Sequence, residues 1–373
     1  MTAPGGVLRL AGRILVDEDT ERDEAWVVGG CVTFERPRFS GAATTIEGVV
    51  LPGLVDVHCH IGVTVGGAAD DALAEKQAEA DRDTGVLLIR DAGSATDTAW
   101  VHGRADLPRL IRAGRFIARP KRYLRGFARE LDRVEDLPLA AVEEARRGDG
   151  WVKLIADWID RDLGADGDLR PLWPDGVLAE AVSAAHGAGA RVTAHTFATE
   201  AVGGLLGAGI DCIEHGTGMT PAHIAEAARR GIPVVPTLLQ VGQFASIADQ
   251  GRARYPAFAA RMQAMYQARY AQVRRFHEAG VPLLVGTDAG GTIGHGSFAQ
   301  ECAEMVVAGV PARDVVAAAT WVARRFLGAQ GIEEGASVDL VVFRDDPRDD
   351  VRHLAAPSAT LLRGALFDPR IGA

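Results

Sequence analysis

From about residue 50 onward, short apolar β-branched runs alternate with longer alanine-rich stretches whose apolar residues recur every three or four positions. The first kind of run suits a strand buried on both faces, the second one face of a helix. Eight runs read as strands, at 48–58, 85–91, 115–119, 151–156, 191–195, 211–215, 232–237 and 281–288. Between them GVLAEAVSAAHGAGA, PAHIAEAARRG and PAFAARMQAMYQARYAQVRRFHEAG read as helices closed by glycine, the residue that most easily ends a helix in the left-handed conformation. Such alternation predicts βαβ units and a parallel sheet, and eight units suit a (β/α)8 barrel spanning residues 50–329. Both ends of the chain break the pattern. Residues 1–49 and 330–373 are strand-like without a helical period; GVLRLAGRILV and AWVVGGCVTF look like paired strands, and SVDLVVFRD and SATLLRGALFD continue the theme near the C-terminus. The expectation is an α/β chain: a (β/α)8 (TIM) barrel with a small β-domain built from both termini.

Composition narrows the partners. A net charge of −10 argues against a nucleic-acid surface. No apolar run approaches the roughly 18–20 residues of a membrane span. The first residues lack a basic segment followed by an apolar core, so no signal peptide is expected. The four cysteines, at 31, 59, 212 and 302, stand apart from one another. That spacing fits a reducing compartment, with the cytoplasm as the default, and no cysteine zinc site. A small-molecule substrate is the expected partner, with neither nucleic acid nor membrane.

The chemistry collects at the ends of the apolar runs: His58 and His60 in LVDVHCH, Lys153 in WVKLIAD, His195 in RVTAH, His215 in DCIEH and Asp288 in PLLVGTD. Imidazole and carboxylate are ligands of zinc and related divalent ions, and a parallel α/β barrel builds its active site at the carboxyl ends of its strands. Two residues apart on a strand, His58 and His60 share one face. Alone, such a pair is as well explained by packing; His195 and His215 downstream shift the balance to metal. Asp56, on the same face, is a candidate hydrogen-bond partner for a ligand imidazole. Cys59 faces the other way as a small buried apolar group. Asp288 ends an apolar strand, where a carboxylate needs a cation, and it can serve as general base. Lys153 pairs with a carboxylate such as Asp157 or belongs to the metal group. Arg90 and Asp91, ending the second strand, are expected to pair with each other.

In these motifs the chain resembles the amidohydrolase superfamily, in the branch of imidazolonepropionase and Xaa-Pro dipeptidase-like enzymes. LPGLVDVHCHIG, TGVLLIRDAGS, WVKLIAD, RVTAHTF, GIDCIEHGTGM, GVPLLVGTDAGG and ASVDLVVFRDDP stand in that family's order across nearly the whole chain. The resemblance implies a distorted (β/α)8 barrel with a β-sandwich from both termini, and two divalent metals, zinc expected. His58, His60 and Asp288 would hold one metal; a carboxylated Lys153 would bridge to the second, held by His195 and His215. It further implies a bridging hydroxide attacking a carbonyl, with Asp288 moving the proton to the leaving nitrogen. The bond would be C–N, in an amide, cyclic amide, urea, carbamate or dipeptide-like substrate, and the assembly a homo-oligomer. Alternatives are a mononuclear deaminase, a lactone or phosphoester hydrolase on the same site, and a non-catalytic scaffold. The deaminase fits less well because the lysine is present and GTGM follows His215.

Substrate contacts are expected on loops. Relatives that cleave dipeptides carry a glycine- and histidine-rich loop after the third strand, where this chain has RPKRYLRGFARE, and often a tyrosine where it has Phe197. Lys121, Arg122, Tyr123 and Arg125 are therefore candidates for another anion grip, since arginine suits carboxylates. Phe197, Trp158 and His295 are further candidates to face substrate.

Overall fold

The computed structural model describes residues 6–367. Seven strands from the two ends of the chain form one sheet, in the order Ala365–Phe367, Ala359–Leu362, Leu340–Phe343, Thr44–Pro52, Leu8–Leu15, Glu21–Val28, Cys31–Thr33. Leu8–Leu15 and Thr44–Pro52 pair in parallel, and the other pairings are antiparallel. The sheet has a core of its own, in which Leu10, Ile14, Val27 and Val50 meet Val338, Leu340, Val342 and Leu361. Antiparallel neighbours can be joined by short turns, so the two terminal segments contribute hairpins to a shared surface.

The first apolar run changes sheets midway. Residues up to Pro52 belong to the terminal sheet, and Leu54–Cys59 opens a parallel set. Gly53 sits at the joint, where a Cβ would lie 2.7 Å from Leu87, so only glycine lets the two sheets approach here. Leu54–Cys59 pairs with Val86–Asp91, and that with Arg109–Arg112. Ile117–Ala118, Trp151–Ile155, Arg191–Thr196, Cys212–His215 and Val234–Val235 follow in a second parallel set.

Besides the first, three of the eight runs depart from the expected strands; the seventh, read as 232–237, is regular only over Val234–Val235. The third, read as 115–119, is regular only over Ile117–Ala118, because the chain turns at Gly114 (φ 70°) after pairing residues 109–112 with the strand before. The eighth, 281–288, makes isolated bridges, Leu283 with Val234 and Ala289 with Cys59. Pro282 has no N–H to give, and Gly286 is pressed against His58 and Val235. Hydrogen bonds still tie this segment on both sides: Leu284 donates to Val234, and Val57 and His60 donate to Val285 and Ala289.

Helices lie between the strands, among them Asp71–Asp83, Leu137–Arg147, Asp175–Gly187, Pro221–Arg230, Pro256–Glu278 and Phe298–Val307. Pro221–Arg230 illustrates their local logic. Thr220 accepts from the His223 N–H, Pro221 needs no donor in the first turn, and Gly231 ends the helix at φ 66°. Ile224 and Ala227 form its buried face. Among the described residues no helix is long and apolar enough to cross a membrane.

Candidate metal centre

Parallel register decides which side chains meet. Lys153 lies beside Thr193, and His195 beside Glu214, so Lys153, Thr193, His195 and Glu214 share one face. Strict alternation would send His215 to the other side. Instead φ is 66° at His215, and the chain turns there, with Gly216 N–H donating back to the Glu214 carbonyl. Asp288 (φ 57°) and Thr237 (φ 45°) are in the same left-handed region. Such backbone costs roughly 1–3 kcal/mol per residue and persists where surroundings enforce it, commonly at functional sites.

All six predicted ligands converge. His58, His215 and Asp288 offer ligand atoms within 4.8 Å of one another. Asp288 Oδ1 lies 3.0 Å from His60 Nε2 and 3.2 Å from His58 Nε2. Lys153 Nζ is 3.3 Å from His58 Nε2, and His215 Nε2 is 3.1 Å from His195 Nδ1. The four imidazoles and Lys153 are buried, whereas the Asp288 side chain keeps 16% of its surface exposed. That makes Asp288 the most reachable member of the group.

Partners behind the cluster fix the rings. His58 Nδ1 is 2.7 Å from Glu214 Oε2, His60 Nδ1 donates to the Gly93 carbonyl at 2.8 Å, and His215 Nδ1 meets Thr237 Oγ1 at 2.6 Å. A carbonyl only accepts, so His60 carries its hydrogen on Nδ1 and, when neutral, presents a bare Nε2 lone pair to the Asp288 carboxylate. Two acceptors 3.0 Å apart need a proton or a metal cation between them. The donor set thus fits a metal, as does the buried His195 Nε2, which has no partner among the described residues.

Electrostatics agree for three of the four imidazoles, whereas at His58 the lowering effect of burial is outweighed by Glu214, which raises it. Burial pushes His60 down, His215 down to about 3 and, with help from His215, His195 well below its ordinary value. Neutral imidazole is the ligating form. Burial alone would raise Asp288, but His58, with His60 and His215, holds its carboxyl well below the ordinary range. Burial also lowers Lys153, favouring the free amine.

Several expectations change. Asp56 does not touch an imidazole; its carboxylate accepts from the His58 and Thr287 backbone and from Thr287 Oγ1. Asp157 does not pair with Lys153 but accepts from the Phe197 and Ala198 N–H groups. Arg90 pairs with Glu214 at 2.5 Å rather than with Asp91, and stacks 4.6 Å from the Trp151 ring centre. His295 is buried against Asp81, 2.8 Å away. Arg122 is occupied by Asp160 and Asp162, at 2.7 and 2.9 Å, while Lys121 and Arg125 are exposed. Tyr123, Trp158 and Phe197 do gather around His195.

Glu214 and Thr237 escaped the sequence reading. A carboxylate inside the apolar run DCIEH was the available signal for Glu214, since such a charge needs a partner. Thr237, after a proline in VVPT, gave none.

Known proteins resemble this chain in sequence and in fold. The model of the amidohydrolase family matches residues 49–364. An uncharacterized protein of Mycobacterium tuberculosis (strain ATCC 25618 / H37Rv) is 48% identical over 363 residues, covering 97% of this chain and 96% of that protein. Among solved structures, a Xaa-Pro dipeptidase with bound methionine superposes with a TM-score of 0.81 at 21% identity, covering 97% of this chain and 100% of the other. Aspergillus niger ochratoxinase gives a TM-score of 0.80 at 18% identity, covering 97% and 96%. At those identities the structures speak for the shared mixed α/β fold, and the family match over most of the chain speaks for the rest: this protein is an enzyme of the amidohydrolase family.

Proposed function

We propose that this enzyme hydrolyses a C–N bond, in an amide, cyclic amide, urea or carbamate, at a centre of two divalent metals, zinc first among them. The observation that carries the reading is the acceptor-to-acceptor contact of His60 Nε2 with Asp288 Oδ1, inside a cluster that also gathers His58, Lys153, His195 and His215. His58, His60 and Asp288 would hold one metal, His195 and His215 the other. Around this centre the fold we propose is a distorted (β/α)8 barrel over 50–329, with a β-sandwich from 1–49 and 330–373. The sequential order of the parallel pairings within their two sets, and the ties of residues 283–289 to a strand of each set, support it.

When bound, such metals lower the pKa of water toward ~7 and polarise a carbonyl. Lys153 would join as a carbamate. Its neutral amine nitrogen would add to the carbon of carbon dioxide, one proton would leave to solvent, and the amine would become an anionic oxygen ligand. Burial, which lowers the pKa of the amine, supports that conversion. Asp288, ionised and open to the cleft, takes the proton of the attacking water and delivers it to the departing nitrogen. Glu214 and Gly93 keep the Nε2 atoms of His58 and His60 aimed at the cluster.

Turnover of a panel of neutral amides, ureas and carbamates tests the reading. Activity should vanish with chelation, return with zinc, and fall about 10²–10⁴-fold in Asp288→Asn. Turnover indifferent to metal would refute it.

A further inference from the structure

The loop side of the cluster is walled by rings from three successive strand ends. Tyr123 follows Ile117–Ala118, Trp158 follows Trp151–Ile155, and Phe197 follows Arg191–Thr196. Tyr123 and Trp158 meet edge to face at 4.9 Å and approach His195 at 6.0 and 5.5 Å. Phe197 lies 4.1 Å from His195 and 4.8 Å from His215. Phe116 continues the wall, 5.5 Å from Tyr123 and 5.1 Å from His60. Edge and tilted contacts at these separations are the attractive geometries of aromatic pairs, and an incoming planar ring can extend the array.

The wall is polar in one sense only. Trp158 Nε1 and His195 Nε2 are buried and lack a partner among the described residues. The Tyr123 phenol is kept protonated by burial and by the charge of Asp288. Indole N–H only donates, and a neutral phenol is a ready donor. The cation nearest in sequence, Arg122, already serves Asp160 and Asp162. Lys121 and Arg125 stand exposed rather than in the wall.

We propose that Tyr123, Trp158 and Phe197 select a neutral substrate with a planar aromatic substituent, an aryl amide, urea or carbamate. The ring would stack within the wall, and an oxygen would accept from Trp158 Nε1 or the Tyr123 hydroxyl. A free carboxylate in the same place would lose its water against ring faces and face the charge of Asp288; burying an unpaired charge is strongly disfavoured. The bond to be cut rests on the function proposed above. The ring and charge preference rests on the wall alone.

A matched pair of acetanilides tests this: methyl 4-acetamidobenzoate and 4-acetamidobenzoate, which share the amide bond and differ by one charge. Binding to the zinc-loaded enzyme is read by calorimetry, and release of the aniline by chromatography. The neutral probe should bind at least about tenfold more tightly than the carboxylate. Trp158→Leu and Phe197→Leu should each weaken the neutral probe about 2- to 12-fold, the range of an aromatic pair, with metal content retained. Equal or tighter binding of the carboxylate to wild type would overturn the proposal without use of any variant. Preferred binding of the neutral probe, lost in the variants but without cleavage, would uphold the wall and refute the C–N hydrolase reading. Cleavage of both with preference for the carboxylate would uphold that reading and refute the wall.

Discussion

His58 shows how one side chain acquires a fixed aim. Its Nδ1 is held at 2.7 Å by Glu214, whose other oxygen is held by Arg90 and by Thr193 Oγ1. Burial would raise the Glu214 carboxyl, yet Arg90, followed by His58, keeps it well below the ordinary range. An anion behind the ring makes Nε2 a better electron donor and locks its tautomer. Glu214→Gln keeps the shape and removes the charge, so metal affinity should fall about 10–100-fold, measured by competition with a chromophoric chelator. Unchanged affinity would assign Glu214 to packing alone. The six candidate ligand positions were legible because five of them end or follow an apolar run and Lys153 is a lone charge within one. Glu214 was not, because its importance comes from His58, 156 positions away in sequence. Arg122 was misjudged for the same reason, since charge in a motif says nothing of the carboxylates Asp160 and Asp162 that the fold brings to it.

At the scale of elements, the segment around 281–288 holds the site by being an imperfect strand. Gly286 lets the backbone pass close to the neighbouring strand, and a Cβ there would sit 2.6 Å from both His58 Cβ and Val235 Cγ1. Left-handed backbone at Asp288, two residues later, then swings the carboxylate to the imidazoles. Gly286→Ala should therefore cost about 1–3 kcal/mol by overpacking and lower metal content by displacing His58. Thermal unfolding and metal analysis check the two effects separately; a variant with native stability and full metal would contradict the account. Apolar runs reveal where strands lie, as in Trp151–Ile155 and Arg191–Thr196. They do not reveal the break at Gly53 or the turn at Gly114, which depend on how near the next element comes.

Across the whole molecule, the terminal sheet is bound to the remainder by specific polar ties. Arg109 Nε donates to Asp339 at 2.5 Å, Arg324 to the Gly53 carbonyl at 2.9 Å, and Gly53 N–H to the Asp339 carbonyl at 2.8 Å. Asp339 precedes Leu340–Phe343, and Gly53 precedes Leu54–Cys59, which carries His58. The sheet thus anchors the strand that presents His58. Leu361 is fully buried in the sheet's own core, beside Leu340. Leu361→Ala should cost about 2–5 kcal/mol in denaturant titrations, and a loss below about 0.5 kcal/mol, the level of ordinary surface changes, would deny the sheet a structural core.

The central claim is that Lys153 is a metal ligand rather than a buried cation. Metal per chain, measured by plasma mass spectrometry on protein prepared with zinc and bicarbonate, tests it in wild type and Lys153→Ala. The account predicts about two metals per chain in wild type and a sharp fall in the variant, restored in part by a short-chain carboxylic acid added as a substitute ligand. Equal metal content in the two proteins would contradict it.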